Sequence, residues 1–121
     1  AKICDLGSAE ALPAGGNGLL FAQTGTSGWA APEVFAGGGY GTPADVFSLG
    51  IVVWEAFAGA AAENPLCGLA GECYAEAIEG GLLPPVPCSA PPAAARIMRD
   101  CWLLHPSERP AAAEVALRLA A

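Results

Sequence analysis

Asp45-Val46-Phe47-Ser48-Leu49-Gly50-Ile51-Val52-Val53-Trp54-Glu55 is the stretch that decides the fold class of this 121-residue chain. It reads as a helix with a marked start. Thr42 can cap, Pro43 suits the first helical position, and Asp45 stands where a capping box wants an acid. Val46, Phe47, Leu49, Ile51, Val52, Val53, Trp54 and Phe57 then cover every face, which predicts a helix buried all round. Such a helix is expected at the centre of a domain larger than this chain. Gly59 supplies a stop. Gly50 fits either a close backbone approach or a tolerated core glycine. The apolar run from Leu49 to Ala62 contains Glu55 and is too short to span a bilayer.

Outward from this helix, the C-terminal side is mainly α. A loop through Asn64-Pro65 leads to a weaker helix around Glu72 to Glu79, ended by Gly80-Gly81. Leu83 to Pro92 carries Pro84, Pro85, Pro87, Pro91 and Pro92 and reads as extended loop. Ala94, Ile97, Met98, Cys101 and Trp102 then form one apolar stripe at helical spacing, with Arg96, Arg99 and Asp100 off it. His105-Pro106 ends that helix. A last helix from near Pro110 carries Val115 and Leu119 on one face. On the N-terminal side, Gly7 to Gly41 is a long loop rich in small residues, either functional or disordered. Only a helical turn near Pro32 to Phe35 breaks it. Ala1 to Cys4 fits a short strand that would deliver Asp5 to a site.

Composition narrows the classes. With 54% hydrophobic and 14% charged residues the chain is a folding domain rather than a disordered tail. A net charge of -7 argues against nucleic acid and against an anionic membrane surface. Abundant Ala and Gly pack weakly, so the isolated segment is expected to be marginally stable. The five cysteines, Cys4, Cys67, Cys73, Cys88 and Cys101, contain no C-x-x-C, and His105 is the one histidine. That argues against a zinc site and for reduced, mostly buried thiols in an intracellular protein. No signal peptide is visible, no internal repeat occurs, and no linker divides the chain.

Several short motifs occur in one order, and together they resemble the second half of the large lobe of a protein kinase. Asp5-Leu6-Gly7 is similar to the Asp-Phe-Gly triplet, with Leu for Phe. Gly25-Thr26-Ser27-Gly28-Trp29-Ala30-Ala31-Pro32-Glu33 resembles the end of the activation segment, closing on Ala-Pro-Glu. The stretch from Asp45 to Glu55 resembles the family's central buried helix. Cys101-Trp102, His105-Pro106 and Arg109-Pro110 resemble its closing pattern. The Trp-bearing signatures are similar to tyrosine-kinase-like enzymes, many of which modify Ser or Thr.

The resemblance implies a mainly α, kinase-like large-lobe fragment over residues 1–121, with an activation segment followed by four to five helices. It implies ATP and Mg²⁺ as cofactors of the complete domain and a protein as substrate, with Ser/Thr favoured over Tyr through Thr26. Asp5 would be the Mg²⁺ ligand, a carboxylate that works beside nucleotide phosphates. Read alone, Asp5 merely ends a strand in a turn. Leu6 would pack inward and Gly7 would let the backbone turn sharply. Thr26 would position substrate, with Trp29 near the peptide groove. Thr24 and Ser27, and more weakly Ser8, are candidate phosphorylation sites; the alternative is plain loop polarity. Glu33 and Arg109 would form a buried ion pair. Asp45 would cap its own helix or receive hydrogen bonds from a catalytic loop. Trp54 and Trp102 would be core. Cys4 would face the nucleotide pocket or be a small buried residue. Ala111 stands where a Ser or Thr usually caps the last helix.

The chain holds no Gly-rich phosphate loop, no Val-Ala-Ile-Lys lysine and no His-Arg-Asp motif. The catalytic base and the phosphate-binding Lys are therefore missing, and the chain alone is expected to be inactive. The location expected is intracellular and cytoplasmic, with a full-length protein that could still be membrane-anchored. Two other readings stand beside a kinase: a pseudokinase or scaffold that binds partners without transfer, and an unrelated helical interaction module.

Overall fold

The computed structural model describes residues 2–14 and 18–121. Among the described residues five α-helices dominate: α1, Pro32–Phe35; α2, Pro43–Ala58; α3, Gly71–Glu79; α4, Pro92–Cys101; and α5, Ala112–Ala120. Short 3₁₀ turns occupy Leu6–Ser8 and Pro106–Glu108. The extended pairing among the described residues is a single antiparallel bridge between Leu20 and Tyr40, with N–H···O distances of 2.8 and 2.9 Å. This is the mainly helical architecture expected of a kinase-like large-lobe fragment. Residues 2–5 form no strand, because the described residues offer them no partner to complete a ladder.

α2 is the axis of the body. α4 packs along it, α1 packs on α3, and α5 rests on α4. Phe47 and Ile51 are fully buried, and Val46, Val53 and Trp54 nearly so. The helix is not buried all round. Asp45, Val52, Glu55 and Ala56 are exposed and Leu49 is half-buried, so one long edge of α2 stays open. No element among the described residues lies over that edge. Pro43 begins the helix as expected, but Thr42 does not cap it with its side chain. Thr42 already has helical angles (φ -53°, ψ -28°), which turn its hydroxyl away from the N2 and N3 amides. The first turn is closed by backbone bonds instead, from the Ala44 N–H to Gly41 O at 3.0 Å and from the Asp45 N–H to Thr42 O at 3.1 Å.

Gly50 permits the closest approach in the core. A Cβ there would stand 2.7 Å from the Cys101 Cβ and 2.8 Å from the Trp102 Nε1, so α4 can lie against α2 only because position 50 has no side chain. Trp102 is buried and its Nε1 has no hydrogen-bond partner, whereas the Trp54 Nε1 donates to Pro85 O at 2.9 Å and pins the proline-rich stretch across the helix. The predicted stripe of α4 (Ala94, Ile97, Met98, Cys101, Trp102) is buried throughout.

α3 ends in a Schellman motif. The Leu82 N–H reaches Ala77 O and the Gly81 N–H reaches Ile78 O, each at 2.9 Å, with Gly81 left-handed at φ 91°. α5 has no side-chain cap at Ala111. Only Val115 of α5 enters the core; Leu119 is exposed, because α4 is the helix that covers α5 and nothing described lies over its last turn. The thiols also depart from expectation. Cys101 is buried, but Cys4, Cys67, Cys73 and Cys88 are exposed. Burial pushes the Cys101 thiol up to about 11, with the nearby Asp100 carboxylate adding to the effect. Among the described residues no helix is long and apolar enough to cross a membrane.

Candidate functional site

The N-terminal segment and the start of α2 enclose a groove of about 580 Å³. Asp5, Ser8, Glu10 and Leu12 line it together with Thr24, Gly25 and Thr26 and with Tyr40 to Thr42 and Asp45. Asp5, Thr26 and Asp45, far apart in sequence, thus face one space. A second hollow of about 430 Å³ shares Thr24, Gly25, Thr26, Tyr40 and Asp45 with it and is lined also by Trp29, Val34 and Ser48.

Asp5 takes the left-handed conformation (φ 58°, ψ 60°), the one non-glycine residue with positive φ among those described. Asp tolerates that region better than most residues because its short polar side chain can satisfy nearby groups. The sharp turn is therefore made by Asp5 and not, as expected, by Gly7, which keeps a negative φ. A Cβ at Gly7 would meet only the Asp5 carboxylate, at an ordinary 3.7 Å. Leu6 does not pack inward; it is 68% exposed, and Ile3 is 91% exposed. Cys4 is exposed and lines neither hollow. Both expectations fail for one reason: nothing among the described residues lies over the triplet.

Thr24 and Thr26 are exposed and Ser27 is half-buried. The Thr24 N–H is held by Ala22 O at 2.9 Å, and Thr26 O accepts from both the Trp29 and Ala30 amides at 3.1 Å. No Lys or Arg occurs between Lys2 and Arg96, so a phosphate on this segment would find no neighbouring cation in the sequence around it. Asp45 is exposed on the first turn of α2, where a carboxylate complements the helix dipole, and makes no side-chain cap.

Behind the groove, Glu33 and Arg109 join the end of the activation-like segment to the end of the chain. The contact is two-pronged, Nη1 to Oε1 at 2.5 Å and Nη2 to Oε2 at 2.9 Å. Arg109 further donates from Nε to Leu103 O at 2.8 Å, from Nη1 to Pro43 O at 3.0 Å and from Nη2 to Leu104 O at 3.3 Å. All five guanidinium N–H groups are thereby used. The guanidinium also lies over the Phe47 ring, 5.2 Å from its centre. Its side chain is fully buried and that of Glu33 is 15% exposed.

Three polar side chains that sequence reasoning passed over also reach the segment beyond Thr26: Ser48, Asn64 and Tyr74. Ser48 looks like helix filler, Asn64 like a loop residue and Tyr74 like a hydrophobic anchor. Tyr74 is indeed that, fully buried and edge-on to Phe35 with ring centres 5.4 Å apart. Burial raises its phenol to about 12, so it acts as a donor at all ordinary pH values. The Trp29 Nε1 donates to Glu55 Oε2 at 3.0 Å.

Comparison with known proteins gives one answer. Residues 1–119 match the family model described as protein tyrosine and serine/threonine kinase. Over 82 residues, 68% of this chain and 8% of the relative, the sequence is 40% identical to ephrin type-A receptor 10 of Mus musculus. It is 33% identical over 116 residues, 94% of this chain and 18% of the relative, to mitogen-activated protein kinase kinase kinase 7 of Homo sapiens. It is 34% identical over 114 residues, again 94% of this chain and 19% of the relative, to serine/threonine-protein kinase STY17 of Arabidopsis thaliana. The chain spans at most 19% of the length of these relatives.

Proposed function

Because this chain belongs to the protein tyrosine and serine/threonine kinase family, we propose that it forms the metal-facing and substrate-facing part of an ATP-dependent protein kinase domain. One observation carries the proposal: Asp5, Thr26 and Asp45 line a single groove. The acceptor is a protein, with Ser or Thr preferred over Tyr because a threonine, Thr26, lines the groove. A cytoplasmic location fits this reading.

The residues present fit Mg²⁺ in a particular way. No three metal-binding side chains cluster among the described residues, so a closed protein cage is not what the groove offers. Mg²⁺ is commonly held by one or two carboxylates while phosphate oxygens and water complete its shell. Asp5, exposed at the groove wall, suits that role. When bound, the metal neutralises charge on the transferring phosphoryl group. Thr26 presents its hydroxyl to the acceptor, and Glu33 with Arg109 holds the end of the segment that carries Thr26. Among the described residues, no side chain lining the groove is basic. Further cationic neutralisation of the nucleotide therefore falls to residues outside this sequence, and so does the base of the His-Arg-Asp motif, which the chain lacks; the 121 residues alone are expected to transfer nothing.

The test is phosphate transfer from ATP by the full-length protein to Ser, Thr and Tyr peptides. Asp5→Asn is expected to lower transfer on the order of a hundredfold or more, the scale of losing a metal's charge stabilisation. Undiminished transfer by that variant would exclude Asp5 as the ligand. A full-length protein that folds and binds partners but transfers nothing would replace the kinase by a scaffold.

A further inference from the structure

Residues 28–30 are held in an unusual way. The Asn64 Nδ2 donates to Gly28 O at 2.8 Å, the Ser48 Oγ to Trp29 O at 2.8 Å, and the Tyr74 hydroxyl to Ala30 O at 2.6 Å. Three consecutive carbonyls are each caught by a side chain, and the three donors come from a loop, from α2 and from α3. Their sequence separations are 36, 19 and 44 residues, so local turn chemistry does not account for them. The Trp29 and Ala30 amides turn back to Thr26 O. The backbone from Thr26 to Ala30 is thus tied from both sides, and the Thr26 side chain is left facing the groove. Gly28 threads between the anchors at φ 103°, where a Cβ would stand 2.8 Å from the Cys67 Sγ.

Gly25-Thr26-Ser27-Gly28 has almost no apolar surface with which to order itself. Left alone it would have to be ordered by the incoming acceptor, at the acceptor's expense in affinity. We propose that Ser48, Asn64 and Tyr74 are positioning residues that pre-set the acceptor-binding edge around Thr26 by fixing carbonyls 28–30. The inference rests on the kinase reading above, since it assigns these side chains a part in acceptor recognition.

The test uses the full-length protein and variants that remove a donor while keeping shape. Tyr74→Phe keeps the ring against Phe35 and loses only the hydroxyl. Asn64→Asp keeps the acceptor that holds the Leu66 N–H at 3.0 Å and loses the donor to Gly28. Ser48→Ala loses the hydroxyl, and Ser48→Thr retains one. Each loss is expected to raise the KM for an acceptor peptide about three- to tenfold, the effect of one net hydrogen bond, with the KM for ATP unchanged and Ser48→Thr close to the parent. An unchanged acceptor KM, or a rise matched by ATP KM and by a fall in melting temperature, would overturn the proposal in favour of a purely structural role. Should the parent protein transfer no phosphate, the kinase reading fails and amide hydrogen exchange decides the clamp. Faster exchange at Trp29 and Ala30 in Tyr74→Phe, with α4 unchanged, supports it. Unchanged exchange there refutes it.

Discussion

Asp5 and Arg109 are charged residues in the two most recognisable ends of this sequence, and they are held in opposite ways. Arg109 is enclosed, with every N–H of its guanidinium bonded and an aromatic ring against its face. Asp5 stands in the open on a left-handed turn between an exposed Ile3 and an exposed Leu6. The helical body from Pro32 onward shares one buried core, with one edge of α2 left open. The stretch before Thr26 is held near residues 20–23, by the Leu20–Tyr40 bridge and the Tyr40 hydroxyl on Ala22 O, while residues 3–12 stay exposed. A closed region shows what stabilises the fold; an open one shows where the fold expects further contacts or a ligand. A motif's strength as a family marker is therefore no guide to how firmly its residues are held.

The contrast can be broken most directly at Arg109. Arg109→Ala strands the Glu33 carboxylate and frees three backbone carbonyls, at a cost of about 3–5 kcal/mol for breaking a buried pair. A melting temperature that does not move would show that the body closes without the pair. Gly50→Ala comes next. Its new methyl group meets the Cys101 Cβ and the Trp102 indole inside van der Waals contact, and overpacking of this kind costs about 1–3 kcal/mol. An unaltered melting temperature would mean that α4 can slide away from α2. Asp5→Asn, which lowers transfer about a hundredfold or more in the proposed mechanism, should leave the melting temperature nearly unchanged, since the Asp5 side chain is exposed and nothing among the described residues packs on it.

The body was legible because its signals are local. Pro43, the stripe from Ala94 to Trp102 and the Gly80-Gly81 stop each act within a few residues, and each is found where the sequence places it. Gly50 was legible as a close approach, though not what approaches it. The caps were misread. Thr42 has the right chemistry for a cap but helical backbone angles, and side-chain type alone does not reveal the dihedral. Leu6 and the open edge of α2 were misread because hydrophobicity predicts a wish to be buried, and burial needs a partner. The same holds for the exposed cysteines. Ser48, Asn64 and Tyr74 were passed over because their partners are backbone carbonyls, which have no letter in a sequence.

A smaller test of the body uses pH. Cys101 is raised to about 11 and Tyr74 to about 12, each chiefly by burial of a group that is better neutral there. Both folded values lie above the values of free side chains, so the folded state holds these protons more tightly than the unfolded one. Stability from this source is fully present below pH 9 and is lost as pH rises through 9 to 12. Thermal melting across that range should show a falling midpoint, and Cys101→Ala should flatten the first part of the fall. A midpoint that stays level to pH 11 would mean that water reaches the thiol.

The smallest expected effect lies in the open region, and it sharpens the comparison most. Leu6 leaves 68% of its surface uncovered, so Leu6→Ser should change the stability of the 121-residue chain by less than about 0.5 kcal/mol, as for ordinary surface positions. The same substitution in the full-length protein need not be silent. If residues beyond this sequence lie over the triplet, the leucine is buried there and its loss costs a few kcal/mol, the range for removing a buried aliphatic side chain. Thermal melting of both forms separates the cases. A loss confined to the full-length protein means that the openness around Asp5 is a seat for neighbouring chain and that Leu6 is its contact. Equal, negligible losses mean that the triplet is as open in the whole protein as it is here. Asp5 would then depend on a bound nucleotide and metal, rather than on packing, to hold its pose.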